Sequence, residues 1–193
     1  MPQSPWPITL LAAFAVTSAV AAPAPADPAA RMAAQVEAMK RLSWMDGVWR
    51  GPAWTILATG ERREVTQTER IGPALSGDIR VLEGRGYLAD GGVGFNAFGV
   101  LSFEPRTGAY TLHSYAMSQA GDFSLKPTAD GYVWEIPLGN FSIRYTAVLK
   151  DGVWTETGER VAPGSEPAAV FFQMKLRRVS DSPWPGAGAI PPN

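Results

Sequence analysis

From Trp44 onward the sequence is a succession of short β-type runs separated by turn residues, and this regularity restricts the fold more than any other feature. The runs predict strands near 48–56, 62–71, 77–86, 94–103, 108–117, 121–126, 131–137, 140–150, 152–160 and 169–179. Among the turns, Asp151-Gly152 is a strong hairpin signal. Since no helical pattern separates the strands, parallel βαβ folds are excluded. We expect an all-β antiparallel meander of roughly ten strands that closes into a barrel and so removes its edges.

Alternation within the strands predicts which side chains share the inner face of that barrel. Large apolar residues occupy every second position in several strands, and Trp134, Tyr145, Phe172 and Met174 are the ones expected to line the interior. A filled core and the wall of a cavity both produce this pattern. Because ten strands enclose a wider interior than eight, we favour a cavity that holds a small hydrophobic molecule.

The first residues are typical of a secretory signal sequence. The apolar run 8–22 ends in small residues, and Ala19 and Ala21 satisfy the small-x-small rule for cleavage after Ala21. An uncleaved membrane anchor is the alternative, but the run is shorter than the roughly 20 apolar residues that a spanning helix needs. We therefore expect a periplasmic or secreted protein with no stable membrane insertion after cleavage.

A short amphipathic helix follows the signal segment. Asp27 is a suitable N-cap and Pro28 suits the first helical position, so the helix is predicted to run from here to about Leu42. One face of this helix carries Met32, Val36 and Met39. We expect that face to dock against the barrel, and the alternative is a methionine-rich surface that contacts a ligand.

The predicted organisation of the chain has four parts. A signal peptide (1–21) and a Pro/Ala linker (22–27) precede a domain of helix plus barrel (28–179). A Pro/Gly-rich tail (180–193) follows, and Trp184 is its expected docking point.

Composition excludes several classes of function. The chain has no cysteine and one histidine, His113, so disulfides, thiolate metal sites and cysteine nucleophiles are impossible. A Ser-His-Asp arrangement would have to use His113. With 17 Lys+Arg against 18 Asp+Glu, the chain has no electrostatic reason to bind nucleic acid.

An ordered set of motifs resembles a known group of barrels. Gly47-Val-Trp49 looks like the G-x-W signature that opens the first strand in the calycin superfamily, the lipocalin and fatty-acid-binding-protein group. The further motifs are Glu69-Arg-Ile-Gly-Pro-Ala-Leu-Ser-Gly77, Trp154-Thr-Glu-Thr-Gly-Glu159 and Phe172-x-Met174-x-Leu176. Together they are similar to the DUF1579-type exported bacterial proteins, lipocalin-like barrels distantly related to the nitrobindin group. The resemblance implies a lipocalin-like barrel of unassigned function.

The same resemblance implies a structural role for three residues. In such barrels the G-x-W tryptophan closes one end, and a basic side chain of the last strand lies over its ring and donates to nearby carbonyls. Trp49 is that tryptophan here, and by inward register Arg178 is the basic residue. Gly47 lets the chain turn into the strand.

Haem is the cofactor that the nitrobindin relationship suggests. Proteins of that group use an axial histidine near the C-terminal strands, but residues 154–179 contain none and His113 lies in the middle of the barrel sequence. We therefore expect neither haem nor another cofactor.

Four polar residues could contribute side chains to the interior of the barrel. His113 and Tyr115 share a face of their strand, but neither face is clearly apolar, so the pattern leaves open which one points inward. Glu69 and Glu156 both occupy positions from which they could project inward, where a carboxylate pair could hold a cation or act as acid and base.

The favoured function is that of an exported binding protein rather than an enzyme, and no catalytic residue is assigned. The predicted ligand-binding residues are Trp134, Tyr145, Phe172, Met174, His113, Tyr115, Glu69 and Glu156. The alternatives are an enzyme that uses His113 or the carboxylates, and a filled barrel that serves as an interaction module. The sequence does not indicate the oligomeric state.

Overall fold

The computed structural model describes residues 27–164 and 168–184, which form a closed antiparallel barrel of ten strands preceded by one α-helix. Helix α1 (Pro28–Met39) continues as a 3-10 segment (Lys40–Met45). The strands are β1 (Gly47–Ile56), β2 (Arg62–Ala74), β3 (Ile79–Tyr87), β4 (Val93–Glu104), β5 (Ala109–Ala116), β6 (Gln119–Pro127), β7 (Gly131–Leu138), β8 (Phe141–Lys150), β9 (Val153–Val161) and β10 (Ala169–Ser180). The predicted meander barrel is confirmed. The predicted signal segment lies outside the described residues.

Pairing of the first strand with the last closes the barrel. Consecutive strands pair along the meander, and β1 also pairs with β10, where Trp49 lies opposite Arg178 and Ala53 opposite Met174. Each of the ten strands therefore has two neighbours, although β6 and β7 pair only through residues 125–127 and 132–134.

Local backbone chemistry sets the ends of several strands. Asp151 and Gly152 both have positive φ (52° and 71°), which matches the tight hairpin predicted from Asp-Gly. β2 extends three residues beyond its predicted end, and β3 begins later than predicted. The reason is a short 3-10 turn at Leu75–Gly77, where three successive residues have positive φ and break the extended chain.

The helix begins as predicted but docks differently. Asp27 Oδ1 accepts a hydrogen bond from the Ala29 amide at 3.2 Å, and Pro28 occupies the first turn. Met39 is fully buried, whereas Met32 is 55% exposed, so the expectation that Met32 docks against the barrel is wrong. Val36 is half-buried, with a methyl group 3.7 Å from the position of a Cβ atom at Gly77, and the fully buried residues lie at the C-terminal end of the helix and in the 3-10 segment.

The 3-10 segment plugs one end of the barrel. It buries Leu42 and Met45 against side chains from many strands, in a core that includes Met39, Trp49, Ile71, Leu101, Tyr110, Leu125, Tyr132, Trp154 and Leu176. We call this the plugged end and the opposite end the mouth. Among the described residues, no helix covers the mouth.

Polar contacts fix the plug in place. The buried Arg80 guanidinium donates from Nε to Asp46 Oδ1 (2.8 Å) and from Nη2 to Asp46 Oδ2 (3.2 Å), and its Nη1 donates to the Met39 carbonyl. The Tyr110 hydroxyl donates to the Ala38 carbonyl at 2.8 Å. These bonds connect the carbonyl groups at the end of α1 to side chains of β3 and β5.

The described chain contains no helix that is long and apolar enough to cross a membrane. After β10 the chain turns back along the outside of the barrel. There the Trp184 ring packs edge-on against Phe98 (6.2 Å between centroids), and the Arg70 guanidinium lies 4.8 Å from the Trp184 centroid. Trp184 therefore docks on the outer face, as expected.

Candidate ligand site inside the barrel

The floor of the interior is an aromatic cluster at the plugged end. Trp44 of the 3-10 segment stacks on Tyr132 (6.0 Å) and meets Trp154 edge-on (5.3 Å). Trp154 also meets Trp49 edge-on at 5.6 Å. From Trp154, the inward positions of β9 lead through Glu156 toward the mouth, so the carboxylate lies directly above this floor.

Above the floor, the inner face of β6–β10 is an aromatic wall. The Trp134 and Tyr145 rings stack in parallel, with centroids 4.3 Å apart and planes 9° apart. Phe123 packs against Trp134 at 5.5 Å, and Phe172 meets Tyr145 at 5.9 Å. All four side chains point inward yet remain only half-buried. These four rings are therefore less completely buried than the residues of the floor.

The side of the barrel wall opposite the aromatic residues carries small residues. β3 and β4 place Gly84, Gly86, Ala97 and Gly99 at inward positions. Neighbouring side chains lie along the sheet over these glycines. A Cβ atom at position 84 would come within 2.7 Å of Glu69 Oε1. The small residues on these two strands therefore give room to the longer side chains of the neighbouring strands.

Two carboxyl groups lie inside, as the alternation of β2 and β9 allows. Glu156 is 7% exposed and accepts hydrogen bonds from the Tyr132 hydroxyl at Oε2 (2.5 Å) and from Trp134 Nε1 at Oε1 (3.2 Å). Glu69 accepts one bond, from Gln67 Nε2 to Oε1 (2.7 Å). All of these donors are neutral, so neither carboxyl forms an ion pair with a described residue.

Burial makes both carboxyl groups weak acids. Desolvation, together with the nearby charge of Glu156, raises the pKa of Glu69 to about 8, although the Gln67 bond opposes the shift. Burial likewise raises the pKa of Glu156 against the effect of its two hydrogen bonds. At neutral pH Glu69 is therefore mostly protonated and can donate as well as accept a hydrogen bond.

The phenol groups around the pair also resist ionisation. Burial and the Glu156 charge raise the pKa of Tyr132 far above its usual value and that of Tyr145 to about 12. Trp154 Nε1 is buried and has no hydrogen-bond partner among the described residues. The interior thus combines an apolar wall with two carboxyl groups above the aromatic floor, and small-molecule sites commonly combine an apolar lining with a few polar groups in this way.

A metal centre is not indicated. Across residues 27–164 and 168–184, no group of three or more His, Asp or Glu side chains converges in a way that could hold a metal ion. The arrangement instead suits a small organic molecule, because Glu69 and Glu156 offer hydrogen bonds or negative charge beside stacked rings.

Two predicted ligand contacts lie on the outside of the barrel. Tyr110 and Leu112 of β5 belong to the core, so the alternate residues His113 and Tyr115 face outward. Tyr115 is 57% exposed. The expectation that this pair could orient a ligand in the interior is therefore corrected, because strand pairing turns the Tyr110 face inward.

His113 joins two outward neighbours on adjacent strands. Its Nδ1 lies 2.8 Å from Asp122 Oδ1 and its Nε2 lies 3.1 Å from Ser102 Oγ. This order of contacts resembles a nucleophilic triad, but the Asp122 side chain is 71% exposed. A solvated carboxylate supplies little of the buried electrostatic support that such a triad uses.

An open groove of about 510 Å³ lies on the same outer face. Its lining includes Glu83, Phe98, Tyr115 and Met117, and Trp184 packs against Phe98. The groove belongs to the outer surface and is separate from the interior.

Met174 lies in the interior, and the three residues with a predicted structural role lie at the plugged end. Met174 is inward and buried beside Glu156. Trp49 is buried, and its Nε1 donates to the Met45 carbonyl at 2.7 Å. Arg178 Nε and Nη2 donate to the Asp46 carbonyl at 3.1 and 2.8 Å, and its guanidinium crowds the space beside Gly47. The cation–π contacts of the described residues do not include one between Arg178 and Trp49.

Sequence reasoning missed three contributors to the site. Gln67 is the hydrogen-bond partner of Glu69, and Gly84 makes room for the same carboxyl group. Tyr132 binds Glu156. Tyr132 shares a strand face with Trp134, and Gln67 shares one with Glu69, so alternation could have found both, but only the pairing of β2 with β3 reveals the role of Gly84.

Comparisons with known proteins bear on the fold. No family model matches the chain, and no curated protein matches it. Among solved structures, the crystal structure of Rv2717c from M. tuberculosis is similar, with a TM-score of 0.55 and 16% sequence identity over 74% of this chain and 97% of that chain. At this identity the similarity concerns the fold alone, so this chain shares its barrel fold with Rv2717c.

Proposed function

We propose that the protein binds a small amphipathic molecule inside its barrel. The apolar part of the ligand packs on the wall formed by Trp134, Tyr145 and Phe172, and its polar end reaches Glu69 and Glu156. The observation that carries the proposal is the half-buried state of these inward rings, because a filled core would bury them completely.

The test is saturable binding of a neutral fluorescent probe, N-phenyl-1-naphthylamine. We expect binding of one probe molecule per chain, weakened at least about tenfold by Trp134→Ala, which removes half of the ring stack. Trp54→Ala is the matched control, because Trp54 lies on the outer face beneath the Arg62 guanidinium (4.2 Å). Absence of saturable binding, or equal losses in the two variants, would contradict the proposal.

The natural ligand can be sought directly. Native mass spectrometry of the purified full-length protein, followed by solvent extraction, should reveal a reproducible bound mass that the Trp134→Ala variant lacks. A ligand-free wild-type protein in repeated preparations would count against tight binding.

The family and the cellular location of the protein are part of the proposal. We propose a DUF1579-type, lipocalin-like exported protein, supported by the Gly47-x-Trp49 motif and by Arg178, which donates to the carbonyl next to Gly47. Cell fractionation and N-terminal sequencing test the location. A periplasmic or secreted chain that begins at Ala22 is the expected result, and a cytoplasmic chain that retains residues 1–21 would contradict it.

A further inference from the structure

We propose that the ligand carries a cationic amine at its polar end and that the carboxyl groups of Glu69 and Glu156 hold it. This inference rests on the proposed binding function and names the chemical class of the ligand.

Charge pairing differs between the two faces of the barrel. On the outer face, Glu83 pairs with Arg70 and Arg85, and Glu135 pairs with Arg144. At the plugged end, the buried Arg80 pairs with Asp46.

The two interior glutamates lack such cations. Their described partners are the neutral groups of Gln67, Tyr132 and Trp134. A buried carboxyl group without a cation avoids its charge by keeping a proton, as Glu69 does, whereas its ionised form needs a cation or a full set of hydrogen bonds. A cation from outside the chain would therefore complete the site.

The hydrogen-bonding capacity that remains fits an ammonium group. Glu69 Oε2 accepts no hydrogen bond from a described residue, and each oxygen of Glu156 accepts one. A carboxylate pair has about eight acceptor positions, whereas an ammonium group offers up to three donors and no acceptor. The adjoining Trp134 and Tyr145 rings provide an apolar surface for the rest of the molecule.

The surroundings predict how binding depends on pH. Glu69 faces Glu156 and Tyr132 inside the barrel, and Glu83 lies on the outer side of the neighbouring β3. These groups are neutral or negative, so nothing among them favours ionisation, and the pKa of Glu69 is about 8. A bound cation stabilises the ionised carboxylate, so binding should release a proton below this pH.

The experiment compares three amphiphiles of equal chain length, used below their micellar concentrations: dodecylamine, dodecanol and dodecanoate. Each competes with N-phenyl-1-naphthylamine for the full-length protein. We expect the amine to bind at least about tenfold more tightly than the alcohol at pH 7.5, since charge-assisted hydrogen bonds are the stronger kind. Dodecanoate should bind most weakly. Amine affinity should rise with pH between 6 and 8, while alcohol affinity should not.

Matched variants assign the effect to the interior. Glu69→Gln should lower amine affinity about tenfold and dodecanol affinity by clearly less, and a cooperative thermal unfolding transition shows that the variant folds. Glu64→Gln is the control, because it makes the same change on the same strand at an exposed position paired with Arg62. It should bind all three compounds like the wild-type protein.

The outcomes separate the two proposals. If the probe binds in a Trp134-dependent way but the alcohol or the carboxylate competes as well as the amine, the amine inference is overturned and the binding function stands. If dodecylamine does not displace a probe that binds in this way, the amine inference is also overturned and the binding function stands. If the probe itself does not bind, the proposed function fails.

Discussion

Glu69 of β2 lies against Gly84 of β3, so closely that a Cβ atom at position 84 would come within 2.7 Å of Oε1 and 2.9 Å of Oε2. The two residues are directly paired across the sheet. The absent side chain therefore creates the space in which the carboxyl group lies.

Gly84→Ala should destabilise the protein by roughly 1–3 kcal/mol, because the buried carboxyl group has to move and loses its geometry with Gln67. Urea denaturation measures the loss. The same substitution in a Glu69→Ala background should cost clearly less, because the clashing atoms are gone. Equal costs in both backgrounds would show that the crowding is unimportant.

Stability should fall as the pH rises from about 5 to 8. The pKa of Glu69 is raised to about 8 in the folded protein, so over this range the unfolded chain loses a proton that the folded chain keeps. The linked loss for a shift of this size is on the order of 3–5 kcal/mol. Thermal melts of Glu69→Gln should show a shallower dependence on pH and greater stability than the wild type at pH 8.5.

Glu64→Gln again provides the control for this titration, because its carboxyl group is exposed and should leave the pH profile unchanged. Parallel curves for the wild type and Glu69→Gln would contradict the assignment of the pH dependence to Glu69.

Trp49→Ala should lower the free energy of unfolding by about 3–5 kcal/mol, the usual range for a buried aromatic residue. The side chain is buried, packs edge-on against Trp154 and donates to the Met45 carbonyl of the plug. Chemical denaturation measures the effect. Trp54→Ala, on the outer face, should cost about 1 kcal/mol or less, and a similar loss in both variants would remove the special role of Trp49.

His113→Ala should alter neither the interior nor the overall stability by much. The imidazole faces outward, and its partner Asp122 is largely solvated, so the expected loss is within about 1 kcal/mol. Affinity for N-phenyl-1-naphthylamine should change less than about twofold. A large loss of probe binding would mean that the ligand contacts the outer face of β5 instead.

The strands were predictable because their signals are local. Turn chemistry at Asp151-Gly152 and the apolar face of β8 depend only on neighbouring positions, and the structure agrees in the positive φ of both turn residues and in the packing of Ala147 and Leu149 in the core. The inward placement of Glu69 and Glu156 follows from the same alternation, since each shares a face with large apolar residues.

The orientation of His113 was not predictable in this way. Its own face carries polar and aromatic residues, and so does the other face of β5, so the local pattern is balanced. Pairing with β4 and β6 determines which face of β5 points inward. Tyr110 packs on Phe103 at 4.7 Å and Leu112 joins the core, so His113 faces outward. Such contacts between strands are not encoded in the sequence of one strand.

The plug closes one end of the barrel, which leaves the mouth at the opposite end as an entrance to the interior. Along β9, the inward positions run from Trp154 at the floor through Glu156 to Gly158, which lies level with Tyr145 in the aromatic wall. A molecule whose polar end meets the carboxyl groups must therefore enter with that end first, and its tail remains directed toward the entrance. Selection would act on the head group, whereas the length of the tail would be only loosely restricted.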